Sequence, residues 1–165
     1  MTIIVKNKET LLYDDFKFNC SIGKKGSSKN KKEGDGKTPK GLFDLDCIYY
    51  RADKVPKPIS KVNKVIIKKN MGWCDDSKSK YYNKLIKIKK NLKISYEKLF
   101  RNDSKYDYLI VIKYNYKRII KKKGSAIFLH LTKNYLPTKG CVALRKKDFL
   151  ILCKLINKMT KIKII

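Results

Sequence analysis

Two short apolar runs separated by a proline–glycine turn constrain this chain more than any other feature. Ala126 to Leu129 is one run, and Val142 to Leu144 is the other. Runs this short, bounded by turn residues, suit buried strands. Pro137 and Gly140 bracket a tight turn just before the second run. The only histidine, His130, follows the first run, and Cys141 immediately precedes the second. Two adjacent strands would then present an imidazole and a thiol at the same end of a sheet.

Such a pair has a chemical use. A thiolate is a nucleophile, yet a free thiol has a pKa of about 8.5 and is mostly protonated at neutral pH. A neighbouring imidazole can take that proton and return it to a leaving amine. Gly140 lets a substrate approach the backbone closely. The amides of Gly140 and Cys141 are then the expected donors to an acyl oxyanion. By spacing alone, a histidine beside a buried structural cysteine is the competing account.

Strand patterns dominate the rest. Thr2 to Val5 and Leu11 to Tyr13 flank a polar turn, and Phe16, Phe18, Cys20 and Ile22 alternate onto one face. The stretch 23–40 has loop composition and ends in Gly34-Asp35-Gly36-Lys37-Thr38-Pro39-Lys40-Gly41. The order is wrong for a phosphate-binding loop, because no Gly-Lys-Ser/Thr follows four spacers. Strands are predicted at Gly41 to Leu45, prolonged to Arg51, and at Lys64 to Lys69 and Tyr108 to Ile112, with a weak one at Leu85 to Ile94. Pro56 and Pro58 keep 54–61 extended or looped. Trp73, beside Asp75 and Asp76, is either a site wall or a loop anchor. Ser95 to Phe100 is predicted to be a short helix capped by Ser95. Phe149, Leu152, Cys153, Ile156 and Met159 recur at helical spacing, which predicts an amphipathic C-terminal helix starting near Asp148.

With 165 residues, one domain spanning 1–165 is expected, and a monomer. The net charge of +28 would ordinarily point to a polyanion. Yet only Arg51, Arg101, Arg118 and Arg145 of the 42 basic residues are arginine, leaving 42 − 4 = 38 lysines. Lys, Ile, Asn and Tyr share A/T-rich codons, so genome bias accounts for the surface. Bidentate base contacts favour arginine, and no specific nucleic-acid partner is expected. The five cysteines form no C-x-x-C pair, and one histidine does not complete a usual zinc set, so no metal is expected. Charges interrupt every apolar run of residues 1–20, and no run approaches a membrane span. On these grounds the expectation is a cytoplasmic location.

Motifs along most of the chain carry a resemblance. They are Phe18-x-Cys20-x-x-Gly23, Gly34 to Gly41, Tyr50-Arg51-Ala52-Asp53, Gly72 to Asp76, Tyr106-Asp107, Gly124 to His130 and Pro137-Thr138-Lys139-Gly140-Cys141. Over roughly residues 3–157 the chain resembles the L,D-transpeptidase (YkuD-type) catalytic domain, in the branch with a Pro-Thr-x-Gly-Cys nucleophile motif. The resemblance implies a mostly-β sandwich or barrel-like fold with few helices. It implies enzymes acting on peptidoglycan stem peptides in the cell envelope, with no cofactor. Cys141 would attack the carbonyl of an L-residue joined to a D-residue, forming a thioester. An amine of another stem would resolve it into a cross-link; water would give carboxypeptidase or endopeptidase activity. His130 would act as base then acid, oriented by the main-chain carbonyl of Leu131. Thr138, Lys139, Trp73 and Asp75 are possible substrate contacts. Better-known members carry a second histidine where Lys139 stands, and many carry arginine where Ala143 stands. Lys139 is expected to favour the thiolate by charge. A basic polyanion-binding protein with a decayed site is the alternative from another class.

Overall fold

Side-chain alternation decides the architecture. The computed structural model describes residues 1–165. In β11 (Tyr108–Ile112), Tyr108, Ile110 and Ile112 point into the larger core while Leu109 and Val111 point into a smaller one. In β12 (Phe128–Leu131), Leu129 and Leu131 join the larger core, and Phe128 joins the smaller. Strands buried on both faces read as continuous apolar runs, which is why these two were visible in the sequence.

The larger core fills a sheet that curls nearly shut. β13 (Val142–Leu144) pairs parallel with β12, β12 antiparallel with β11, and β11 antiparallel with β6 (Gly41–Tyr50). A bulge interrupts the register between β6 and β11, and bulges bend a strand. The first half of β6 instead pairs with β14 (Lys161–Ile164), which continues to β1 (Thr2–Lys6), β2 (Thr10–Tyr13) and β3 (Phe16–Asn19). The chain leaving β3 then meets β13 through the isolated bridge Ser21–Ala143, where each amide donates to the other carbonyl at 2.9 and 2.8 Å. That bridge closes the ring, so the fold is mostly β and barrel-like, as the resemblance implied. α1 (Lys146–Leu155) plugs the larger core with Phe149, Leu152 and Cys153.

Smaller elements shape the other face. β7 (Lys64–Ile66) pairs parallel with β6, and β4 (Ser27–Ser28) pairs with β5 (Thr38–Pro39). A three-stranded sheet of β10 (Tyr96–Lys98), β8 (Met71–Cys74) and β9 (Leu85–Lys87) covers the smaller core.

Two local expectations are overturned. Ser95 to Phe100 contains a strand rather than a helix: Tyr96 and Lys98 pair antiparallel with Cys74 and Gly72. Sheet hydrogen bonds from a distant segment override a one-turn helix signal. The C-terminal helix ends at Leu155, Ile156 is already extended, and Met159 is 80% exposed. The alternating Lys161-Ile162-Lys163-Ile164 then forms β14, because Ile162 and Ile164 fill the barrel beside β1.

Candidate active site

The inner register of β12 and β13 sets the site. Leu129 pairs with Val142 and His130 with Ala143. Extending that register by one places Cys141 opposite Phe128. His130 and Cys141 therefore share a sheet face, one strand apart and two residues along, a diagonal separation of about 7 Å between neighbouring strands. That face is the one turned away from the barrel interior. Both residues line an open cleft of about 890 Å³, together with Thr138, Lys139, Gly140, Tyr106, Glu97, Arg101 and Asp75.

The histidine is locked in one orientation. Its Nδ1 lies 2.9 Å from the Leu131 carbonyl oxygen. A carbonyl only accepts, so Nδ1 carries the proton and Nε2 is left with its lone pair. Tyr106 packs edge-on against the imidazole at 5.4 Å and against Phe128 at 5.7 Å. Burial lowers the His130 pKa to about 4; the Leu131 bond offsets part of this, and the Lys105 and Arg101 charges add to it.

The thiol rests against the strand backbone. Phe128 N–H donates to Cys141 Sγ at 3.3 Å, and the thiol donates to the Ala126 carbonyl at 3.3 Å. Ala126 holds a left-handed backbone, φ 52°, rare for a residue with a Cβ. Asn83 supports it: its Oδ1 accepts from Ala126 N–H at 3.1 Å and from Trp73 Nε1–H at 2.9 Å. Burial pushes the Cys141 thiol up to about 12; the Phe128 amide and the Lys31 charge act downward, and the Glu97 charge upward.

The turn before Cys141 is tightly specified. Thr138 Oγ1 donates to the Cys141 carbonyl at 2.6 Å and accepts from Gly140 N–H at 3.1 Å. Gly140 sits at φ 146°, and a Cβ there would lie 2.8 Å from the Lys37 carbonyl. The Gly34–Gly41 loop packs behind the nucleophile turn. Gly140→Ala is expected to destabilise the domain by about 1–3 kcal/mol through combined strain and clash, read as a lowered Tm.

Several expected site residues fall differently. Trp73 is 2% exposed, stacks edge-on against Phe128 at 5.5 Å and does not line the cleft. It is a buried anchor, because its indole N–H needs the Asn83 partner. The Thr138 hydroxyl is committed to the turn. The Gly140 amide is occupied by Thr138, whereas the Cys141 amide donates to no protein group. Lys139 is exposed at the cleft rim, whereas the buried Lys31 lies against Gly140 of the nucleophile turn. Asp75 lines the cleft with a buried Oδ1 that has no partner.

Glu97, Arg101 and Asn83 carry no local signal that marks them as site residues. Arg101 donates to Glu97 at 2.9 Å and to both Asp103 oxygens at 3.0 and 2.6 Å, with its guanidinium 5.1 Å from the Tyr106 ring. A helix over 95–100 would not form that wall. Only pairing between β10 and β8 brings Glu97 to the cleft.

A thiol at the entry to one strand and an oriented imidazole on its neighbour, lining one open cleft, define a cysteine–histidine site on a closed β-sheet scaffold. The model of the L,D-transpeptidase catalytic domain, YkuD, matches residues 1–164. The chain belongs to that family, whose members are cysteine-dependent enzymes of peptidoglycan. No curated protein and no solved structure matches it significantly.

Proposed function

We propose that the protein is an L,D-transpeptidase that cross-links peptidoglycan stem peptides through a Cys141 thioester. The shared cleft face of His130 and Cys141, with Nε2 left free by the Leu131 carbonyl, carries this reading. Sγ leaves its Ala126 contact and passes its proton to His130 Nε2 as it attacks the carbonyl carbon of the L-residue. The oxyanion is received by the Cys141 N–H, joined by Gly140 N–H if Thr138 releases it. As the tetrahedral carbon collapses, His130 gives its proton to the departing amine of the D-residue. An incoming stem amine then attacks the thioester, yields its proton to His130 and restores the thiol. Water in that last step gives carboxypeptidase or endopeptidase activity at the same site. Asp75 offers its unpaired oxygen to a substrate amine, and Lys139 offers a cation at the rim. The working location is the cell envelope, typical of the family; no helix is long and apolar enough to cross a membrane.

The test is intact-mass analysis after incubation with muropeptides carrying a tetrapeptide stem. An adduct of acyl-stem mass that maps to Cys141 supports the proposal. Turnover without any thiol-linked intermediate, even after acid quench, would sink it.

The resting state should be a neutral pair. Cys141 is protonated well above neutral pH and His130 is deprotonated well above pH 4. Iodoacetamide labelling of Cys141 is therefore expected to rise about tenfold per pH unit up to at least about pH 9, following the thiolate fraction. A thiolate–imidazolium pair would instead label at a constant rate across the neutral range.

A further inference from the structure

Of the 38 lysines, Lys31 is the only buried one, at 3% exposure. Codon bias explains lysines on a surface. It does not explain one taken out of water, where an ammonium needs compensation. Lys31 Nζ donates to Asp35 Oδ1 at 2.6 Å and to the Lys32 carbonyl at 2.8 Å. An ammonium has three N–H donors, so one remains uncommitted.

Its stem runs between Gly124 and Gly140. A Cβ on Gly124 would meet Lys31 Cγ at 3.0 Å, and a Cβ on Gly140 would meet Lys31 Cε at 3.7 Å. Lys31 lines the catalytic cleft with Gly140 and Cys141, whereas Asp35 does not. Asp35 is also tied back to its own loop, accepting from the amides of Lys32 at 2.8 Å and Lys37 at 2.9 Å. The pair is therefore oriented, with its positive end towards the nucleophile turn and its negative end towards the loop.

We propose that Lys31, held by Asp35, is the positive charge that stabilises the Cys141 thiolate and the oxyanion formed at the Gly140–Cys141 turn. Lys31 acts on the nucleophile proposed above, and its role rests on that assignment. The groups facing Cys141 from packed elements are Lys31, Glu97, Tyr106, His130 and the Phe128 amide. Glu97 is already paired with Arg101, which leaves Lys31 as the cation acting directly on the sulfur. The same lysine explains how the chain manages with Lys139 exposed at the rim.

The test is iodoacetamide labelling of Cys141 at pH 8, located by peptide mapping because four other cysteines are present. Lys31→Met is expected to slow labelling about tenfold, equal to one unit of thiol pKa. Lys31→Arg should recover most of the rate. Asp35→Asn leaves the cation without its counter-ion and should speed labelling. Opposite signs for Lys31→Met and Asp35→Asn distinguish a charge effect from loosened packing, which would move both the same way. Wild-type labelling in a folded Lys31→Met protein, or shifts of one sign in both variants, would overturn the proposal. If Lys31→Met does not fold, the neutral double variant Lys31→Met/Asp35→Asn is compared with Asp35→Asn: slower labelling supports the role, and an equal rate overturns it. Muropeptide adducts are followed in parallel. Labelling shifts of the expected signs with no wild-type adduct would reject the transpeptidase reading while leaving the charge assignment standing.

Discussion

Cys141→Ala is expected to abolish turnover and leave no muropeptide adduct. The other four cysteines provide no substitute. Cys20 and Cys153 lie in the barrel core, Cys74 is buried at the end of β8, and none of the four lines the cleft. The change removes one sulfur and its two backbone contacts from a turn that Thr138 and Gly140 continue to hold. Stability should fall by only about 1 kcal/mol, near the centre of the range for single substitutions. Kinetics and intact mass measured beside a thermal melt separate lost chemistry from lost fold. Residual turnover near the wild-type level in Cys141→Ala would contradict the mechanism.

His130→Ala should cost roughly 10²–10⁴-fold in kcat, the usual contribution of a positioned acid–base group. The loss should be largest in acylation. With a thiol pushed up to about 12, almost no thiolate exists at neutral pH unless a base removes the proton during attack. Raising the pH should therefore recover part of the activity of His130→Ala, since hydroxide then supplies thiolate directly. Wild-type kcat at neutral pH in this variant would show that the imidazole is structural. His130 lies against Tyr106 and bonds only to its neighbour's carbonyl, so the variant should keep its fold.

Much of the barrel was readable from residue order. Tyr108 to Ile112 and the hairpin of residues 2–13 announce themselves, because a strand buried on both faces or alternating over a core has little freedom in composition. His130 and Cys141 share a face for a related reason: a parallel pair fixes which residues point the same way. What failed was decided by distant partners. Tyr96 to Lys98 carries a weak local signal and becomes a strand because β8 offers an edge. Ile162 and Ile164 form a strand because β1 and β6 enclose them, partners that the local sequence does not reveal. Lys31 was hidden among lysines, since nothing in a lysine-rich loop marks which one is buried. Trp73 was ambiguous because an indole beside carboxylates suits both a wall and an anchor, and only the Asn83 bond decides.

The closure at Ser21–Ala143 has a mechanical meaning. Two amide–carbonyl bonds form that bridge, and Ala143 stands two residues from the nucleophile and opposite His130. Cooperative domains breathe first where few backbone bonds hold a segment. Two more backbone bonds join Ile22 and Lys24 to Thr138, so this narrow seam brackets the nucleophile turn, and the amino-terminal meander and the thiol are bound to loosen or tighten together.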